Sequence, residues 1–183
     1  MPGLSARNLF EEGDASASIL RKWWSGLQND TEEQTRIRRC GDPSSVMLSP
    51  QYDRLLNLLK DAGYDLDAGR SYALAAVVGL VAQVTADTGP GVSFARQMAK
   101  PRPGAKKARV SELRFSRLIA ENQREGLYLL LIPVMELLSG AVNLADMAHS
   151  LYRWDATART RWNDDYYAAQ NRRGGKWVGR LRA

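Results

Sequence analysis

The chain has 183 residues, 44% hydrophobic and 25% charged, which is too apolar for a disordered chain and long enough for one ordinary domain or two small ones. Its net charge of +6 is unevenly held: residues 1–90 carry 9 basic and 12 acidic side chains and residues 91–183 carry 17 and 8, so an anionic partner is expected to meet the second half. One cysteine excludes an internal disulfide, one histidine leaves no zinc set, and the amino terminus lacks the series of a secretory signal, so a cytoplasmic location is expected.

Residues 1–17 are small and polar and read as a flexible amino terminus. Leu20, Trp23, Trp24 and Leu27 then recur at helical spacing, which predicts a helix near Ser18–Gln28 with both indoles anchoring a core. Asp30 or Thr31 can cap a second helix, with Glu32 and Glu33 in its first turn and Arg36, Arg38 and Arg39 in its last, the charge order that complements the helix dipole. Gly41 and Pro43 stop it. Ser49-Pro50 is a cap followed by proline at the first helical position, and Tyr52, Leu55, Leu56 and Leu59 form the apolar stripe of that helix. Gly63–Gly69 reads as a turn region, and Ser71–Ala86 as a central helix apolar nearly all round.

Breakers recur at Gly89-Pro90-Gly91 and at Pro101-Arg-Pro-Gly104, enclosing a short segment around Phe94. From Lys100 to Arg117 there are seven basic residues and one acid, Glu112. Ser111 caps a helix with Phe115, Leu118 and Ile119 on its buried side and Arg114, Arg117, Glu121 and Arg124 opposite. Leu127–Leu138 reads as a core helix kinked at Pro133. Asn143 opens a helix burying Leu144, Met147, Ala148 and Leu151, with His149 and Arg153 on its polar side. Arg159–Gln170 is the last helix, with Trp162 and Tyr166 paired at i, i+4, and the tail after it is basic.

No stretch shows the alternation that strands need, so the expected fold is all-α: two small helical bundles, 18–88 and 111–170, joined by a basic Pro/Gly-containing linker at 89–110 and followed by a basic tail at 171–183. The apolar runs Tyr72–Val84 and Leu127–Leu138 fall short of the roughly 20 residues that span a bilayer. No cofactor is expected. Cys40 and His149 read as a small thiol and a solvated ring rather than a catalytic pair, Asp164 and Asp165 point apart on their helix, and Gly89-Pro90-Gly91 lacks the end of a phosphate-binding loop. An enzyme would have to draw on residues the sequence does not group.

Arginine and lysine remain. Arg38, Arg39, Lys106, Lys107, Arg109, Arg114, Arg117, Arg159 and Arg161 come from several helix ends and one joint, and together they are the candidate track for a phosphate backbone. No helix-turn-helix, finger or RNA-recognition signature accompanies them, so sequence readout is not indicated.

With Trp23-Trp24 and Leu27, the Arg-Ile-Arg-Arg end of the second helix, Ser93-Phe94, Ser111-Glu-Leu-Arg114-Phe115 with Leu118, and Trp154 before Trp162 and Tyr166-Tyr167, the chain resembles the small subunit of the type I-E CRISPR Cascade effector, the CasB family. The resemblance spans roughly residues 18–167. It implies a non-enzymatic all-helical subunit, present in two copies beside other Cascade subunits and guide RNA, that contacts target and displaced DNA strands and stabilises the R-loop. By that analogy Arg38, Arg39 and Arg114 fall on the nucleic-acid face, while Leu131 and Ile132 stand where some relatives carry basic residues. Two other readings stay open: a free-standing, non-specific nucleic-acid-binding protein, and a structural adaptor whose cations meet acidic protein surfaces.

Overall fold

Short polar side chains start nearly every helix. The computed structural model describes residues 8–171. Asp14 caps α1 (Ala15–Gln28), accepting from the Ser16 N–H, Asp30 caps α2 (Thr31–Arg38), and Asp42 caps the single turn of α3 (Pro43–Val46). Ser49 caps α4 (Pro50–Asp61) ahead of Pro50, Asp67 caps α5 (Ala68–Val81), and Ser93 caps α6 (Phe94–Ala99). Ser111 caps α7 (Glu112–Ala120), α8 spans Arg124–Leu137, and Asn143 caps α9 (Leu144–Arg153). The Asp155 carboxylate takes the Ala158 N–H at the start of α10 (Ala156–Asn171).

The predicted all-α character holds, with one addition: β1 (Ala86–Asp87) pairs in parallel with β2 (Ala141–Val142), Ala86 opposite Ala141. Two residues are too few for a readable alternation. Their pairing depends on Gly140, whose φ of +67° and missing side chain let its carbonyl accept from Thr85 and Ala86 N–H. The helix predicted to run to Ala86 therefore ends at Val81.

α5 is the central rod. Every residue from Ala73 to Val81 is buried, because α3, α4, α8 and α9 all pack on it. α1 packs on α2, α4 and α9, and α10 packs on α6 and α7. Buried residues from both sides of 89–110 belong to one hydrophobic cluster, to which α6 contributes Phe94, Ala95, Met98 and Ala99. Each fully buried Leu, Val or Phe contributes about 1.5–3 kcal/mol relative to exposure.

Within the stretch expected to be flexible, Leu9, Phe10, Ser16 and Ala17 are buried instead, and α1 begins three residues before Ser18. One Leu-Phe pair has no period to read. It is seated by Phe10 N–H donating to Ser16 Oγ at 2.7 Å, with Phe10 at φ +68° and edge-on to Tyr152. The predicted Trp162–Tyr166 pair is replaced by partners from other helices. Trp162 meets Phe94 and Trp154 at 5.3 and 4.9 Å, and Tyr166 stacks on Phe115 at 3.8 Å. Trp23 is buried and donates to Gln51 O, whereas Trp24 is half-buried and donates to Val84 O.

Candidate nucleic-acid interface

The basic joint is built as a short hairpin standing on α6 and α7. Lys100 O accepts from Arg109 N–H at 3.0 Å, Pro101 and Ala108 form an antiparallel bridge, and Gly104 at φ +78° turns the tip. Arg102, Lys106 and Lys107 are exposed on this hairpin. Its base is held by Val110 N–H donating to Met98 O and by Tyr166 Oη donating to Val110 O at 2.6 Å. Lys106, Lys107, Arg109 and Arg114 come together around one cleft of about 590 Å³ between the hairpin and the start of α7. Arg117 follows Arg114 by three residues on α7, and both are exposed.

The fold sorts its cations into committed and uncommitted ones. Arg21 is held by Glu12 and Asp87, Arg36 by Glu32 and Glu33, Arg96 by Asp165 at 2.8 Å, and Arg153 by Asp155 at 2.9 Å. Among the described residues no ion pair is made by any of the seven cations from Lys100 to Arg117. Glu112, the one acid in that stretch, lies against Tyr167, whose phenol is raised by burial and then by this carboxylate.

The other candidates are dispersed. Arg38 donates from Nε to Ala82 O at 2.7 Å, so one face of its guanidinium caps the end of α5. Arg39 is exposed beside it. Arg159 reaches Asn122 Oδ1 in the α7–α8 connection, while Arg161, two residues away, turns toward α9 and pairs with Asp146 and Ser150. Consecutive odd positions on a helix diverge, and the acid on α9 captures the second. The basic tail, Arg172, Arg173, Lys176, Arg180 and Arg182, lies outside the described residues.

Arg124, predicted on the exposed stripe with Arg114, turns inward and donates to Leu151 O and Tyr152 O at the end of α9. Burial lowers its pKa, yet the two carbonyls replace water as acceptors. The stripe breaks because α7 ends at Ala120 and a new helix resets the phase. His149 is half-buried, its Nδ1 2.9 Å from Leu9 O, so it ties the amino-terminal segment down instead of standing in solvent. Leu131 is fully buried. Burial raises the Cys40 thiol, the wrong direction for a nucleophile.

Among the described residues no group of three His, Cys, Asp or Glu side chains is placed to hold a metal, and no helix is long and apolar enough to cross a membrane. Fold and surface together define a small α-helical protein whose uncommitted cations are concentrated at one joint. The family model for the CRISPR-associated protein Cse2 matches residues 33–167, and the chain belongs to that family, which is the small-subunit family its sequence resembles. A chain in the crystal structure of E. coli Cascade bound to a PAM-containing double-stranded DNA target shares its fold with a TM-score of 0.64 and 22% identity, over 85% of this chain and 96% of that one. None of the curated proteins matches the sequence.

Proposed function

We propose that this Cse2-family chain is a non-enzymatic subunit of an RNA-guided CRISPR complex that holds target and displaced DNA strands and stabilises the R-loop. The cations assigned to this work are Lys106, Lys107, Arg109, Arg114 and Arg117, with Arg39 and the outer face of Arg38 as a second patch. The partners are the other Cascade subunits with their guide RNA and a second copy of this chain.

One observation carries the reading: seven successive cations without a carboxylate partner among the described residues, on a hairpin and helix face anchored to the core. Arg21, Arg36, Arg96 and Arg161, by contrast, are each paired with a carboxylate. The chemistry suits the task. In RNA-guided recognition base pairing reads the sequence, and exchange of a DNA duplex for a heteroduplex is nearly balanced. Backbone contacts of about 1.5–3 kcal/mol each, as charge-assisted hydrogen bonds, are large on that scale. A protein without base-reading signatures supplies such contacts without adding a sequence preference.

Co-expression with the other Cascade proteins and a guide RNA tests this. The chain is expected to copurify with them, and Lys106→Glu/Lys107→Glu with Arg114→Glu is expected to weaken R-loop formation more than tenfold while leaving assembly intact. Unchanged R-loop stability in that variant refutes the DNA role of this face and favours an adaptor. Tight DNA binding by a chain that never joins the complex favours a free-standing binder.

A further inference from the structure

We propose that the cleft between the Lys100–Ala108 hairpin and the first turn of α7 is a seat for a single phosphodiester group of an unpaired DNA strand, with Arg109 as its inner ligand. The inference rests on the nucleic-acid reading above and narrows it from a charged face to one built site.

Arg109 differs from the other cations of the joint. Its backbone is clamped on both sides, through its own N–H to Lys100 O and through Val110 to Met98 and Tyr166, so its guanidinium projects from a fixed root. Its Nε is shut off from solvent and finds no acceptor among the described residues. A sealed donor is out of a ligand's reach, so it is the Nη edge of the guanidinium, which makes no hydrogen bond or ion pair among the described residues, that the cleft offers. A phosphate offers two oxygens at the spacing of the guanidinium fork, which a lysine cannot match.

The rest of the cleft has the same polarity. Ser111 and Glu112 at the head of α7 line it, and the Glu112 and Leu113 N–H groups have no intrahelical acceptor, so the helix presents donors and the positive end of its dipole. Ser111 Oγ is occupied by the Arg114 N–H. The Glu112 carboxylate lies against Tyr167 rather than in an ion pair with Arg109 or Arg114. Lys106 and Lys107 on one wall and Arg114 on the other flank the seat with charge for neighbouring phosphates. Four cations around one cleft exceed what a single protein carboxylate neutralises and match a chain carrying one charge per nucleotide.

The test uses the full chain, fluorescein-labelled oligothymidylate, and anisotropy across a sodium chloride series. Arg109→Gln is expected to lower affinity about ten- to a hundredfold and to reduce the slope of log affinity against log salt by about 0.7, one phosphate contact on a single strand. Arg109→Lys keeps the charge and loses the fork, so it is expected to fall between, which covers the case in which the Gln variant folds poorly. Replacing the probe's phosphates by neutral methylphosphonates is expected to erase the difference between wild type and Arg109→Gln. Wild-type affinity and slope in a folded Arg109→Gln or Arg109→Lys variant overturn the seat. If Arg114→Gln and Arg117→Gln still weaken R-loop formation in the assembled complex, the DNA reading stands without it. If none of these variants changes either measurement, both fall.

Discussion

Arg38 shows how one side chain can belong to the fold and to a surface at once. Its Nε caps the buried end of α5 by donating to Ala82 O, so Arg38→Ala removes a charge-assisted bond between α2 and α5. That change is expected to cost about 1.5–3 kcal/mol of stability, measurable by urea unfolding, whereas Arg39→Ala beside it is expected to be nearly neutral. A loss of R-loop stability in Arg38→Ala therefore says little about DNA unless the unfolding measurement accompanies it. The sequence placed both arginines at the end of a helix, but the acceptor lies 44 residues away and is a backbone carbonyl. Charge pattern is legible locally; the partner of a charge is not. Arg124 and His149 depart from expectation for the same reason, since carbonyls from distant segments draw both inward.

Among the elements, α5 and α8 cross closely at a glycine. A Cβ on Gly79 would stand 2.6 Å from the Tyr128 ring, and that ring is fully buried with its hydroxyl donating to Cys40 O at 3.1 Å. It has nowhere to retreat. Gly79→Ala is expected to destabilise the chain by about 1–3 kcal/mol despite the better helix propensity of alanine, read as a lower urea midpoint. α5 was recognisable because it is apolar all round, and α4, α7 and α9 because Ser49, Ser111 and Asn143 are caps at the right offset. Pro133 is accommodated within α8, on its exposed side one turn from exposed Leu129, where water reaches the carbonyl the proline cannot bond. The Lys100–Ala108 hairpin was legible as breakers and charge, and its bridge and cleft were not, because both depend on where α6 and α7 are held.

Across the whole molecule, ionisation sets limits on both sides of neutrality. Burial opposes the charge on Asp14, but hydrogen bonds from Ser16 and Tyr64 outweigh it and depress its pKa; at Asp155 burial is likewise outweighed, by Ala158 N–H and Arg153. A depressed folded-state pKa contributes stability above the ordinary carboxylate range and loses it as the pH falls through the depressed value. Burial pushes Tyr128, Tyr152 and Tyr166 up to about 12, so their contribution is complete below the ordinary phenol value near 10 and is lost as the pH rises from there. The melting temperature is expected to be flat from these groups between about pH 5 and 9, and to fall below about pH 4 and above about pH 10. A steep change near neutrality in a thermal-melt series contradicts this assignment. By itself the sequence determined the helical class, most caps, the central rod, the family likeness and the concentration of charge at the joint, because each is written in spacing along a few turns. Only the tertiary structure decided which cations stay uncommitted, since neutralisation of Arg96 and Arg161 depends on Asp165 and Asp146 arriving from other stretches of chain, and no such acid arrives at Lys106, Lys107, Arg109 or Arg114 among the described residues.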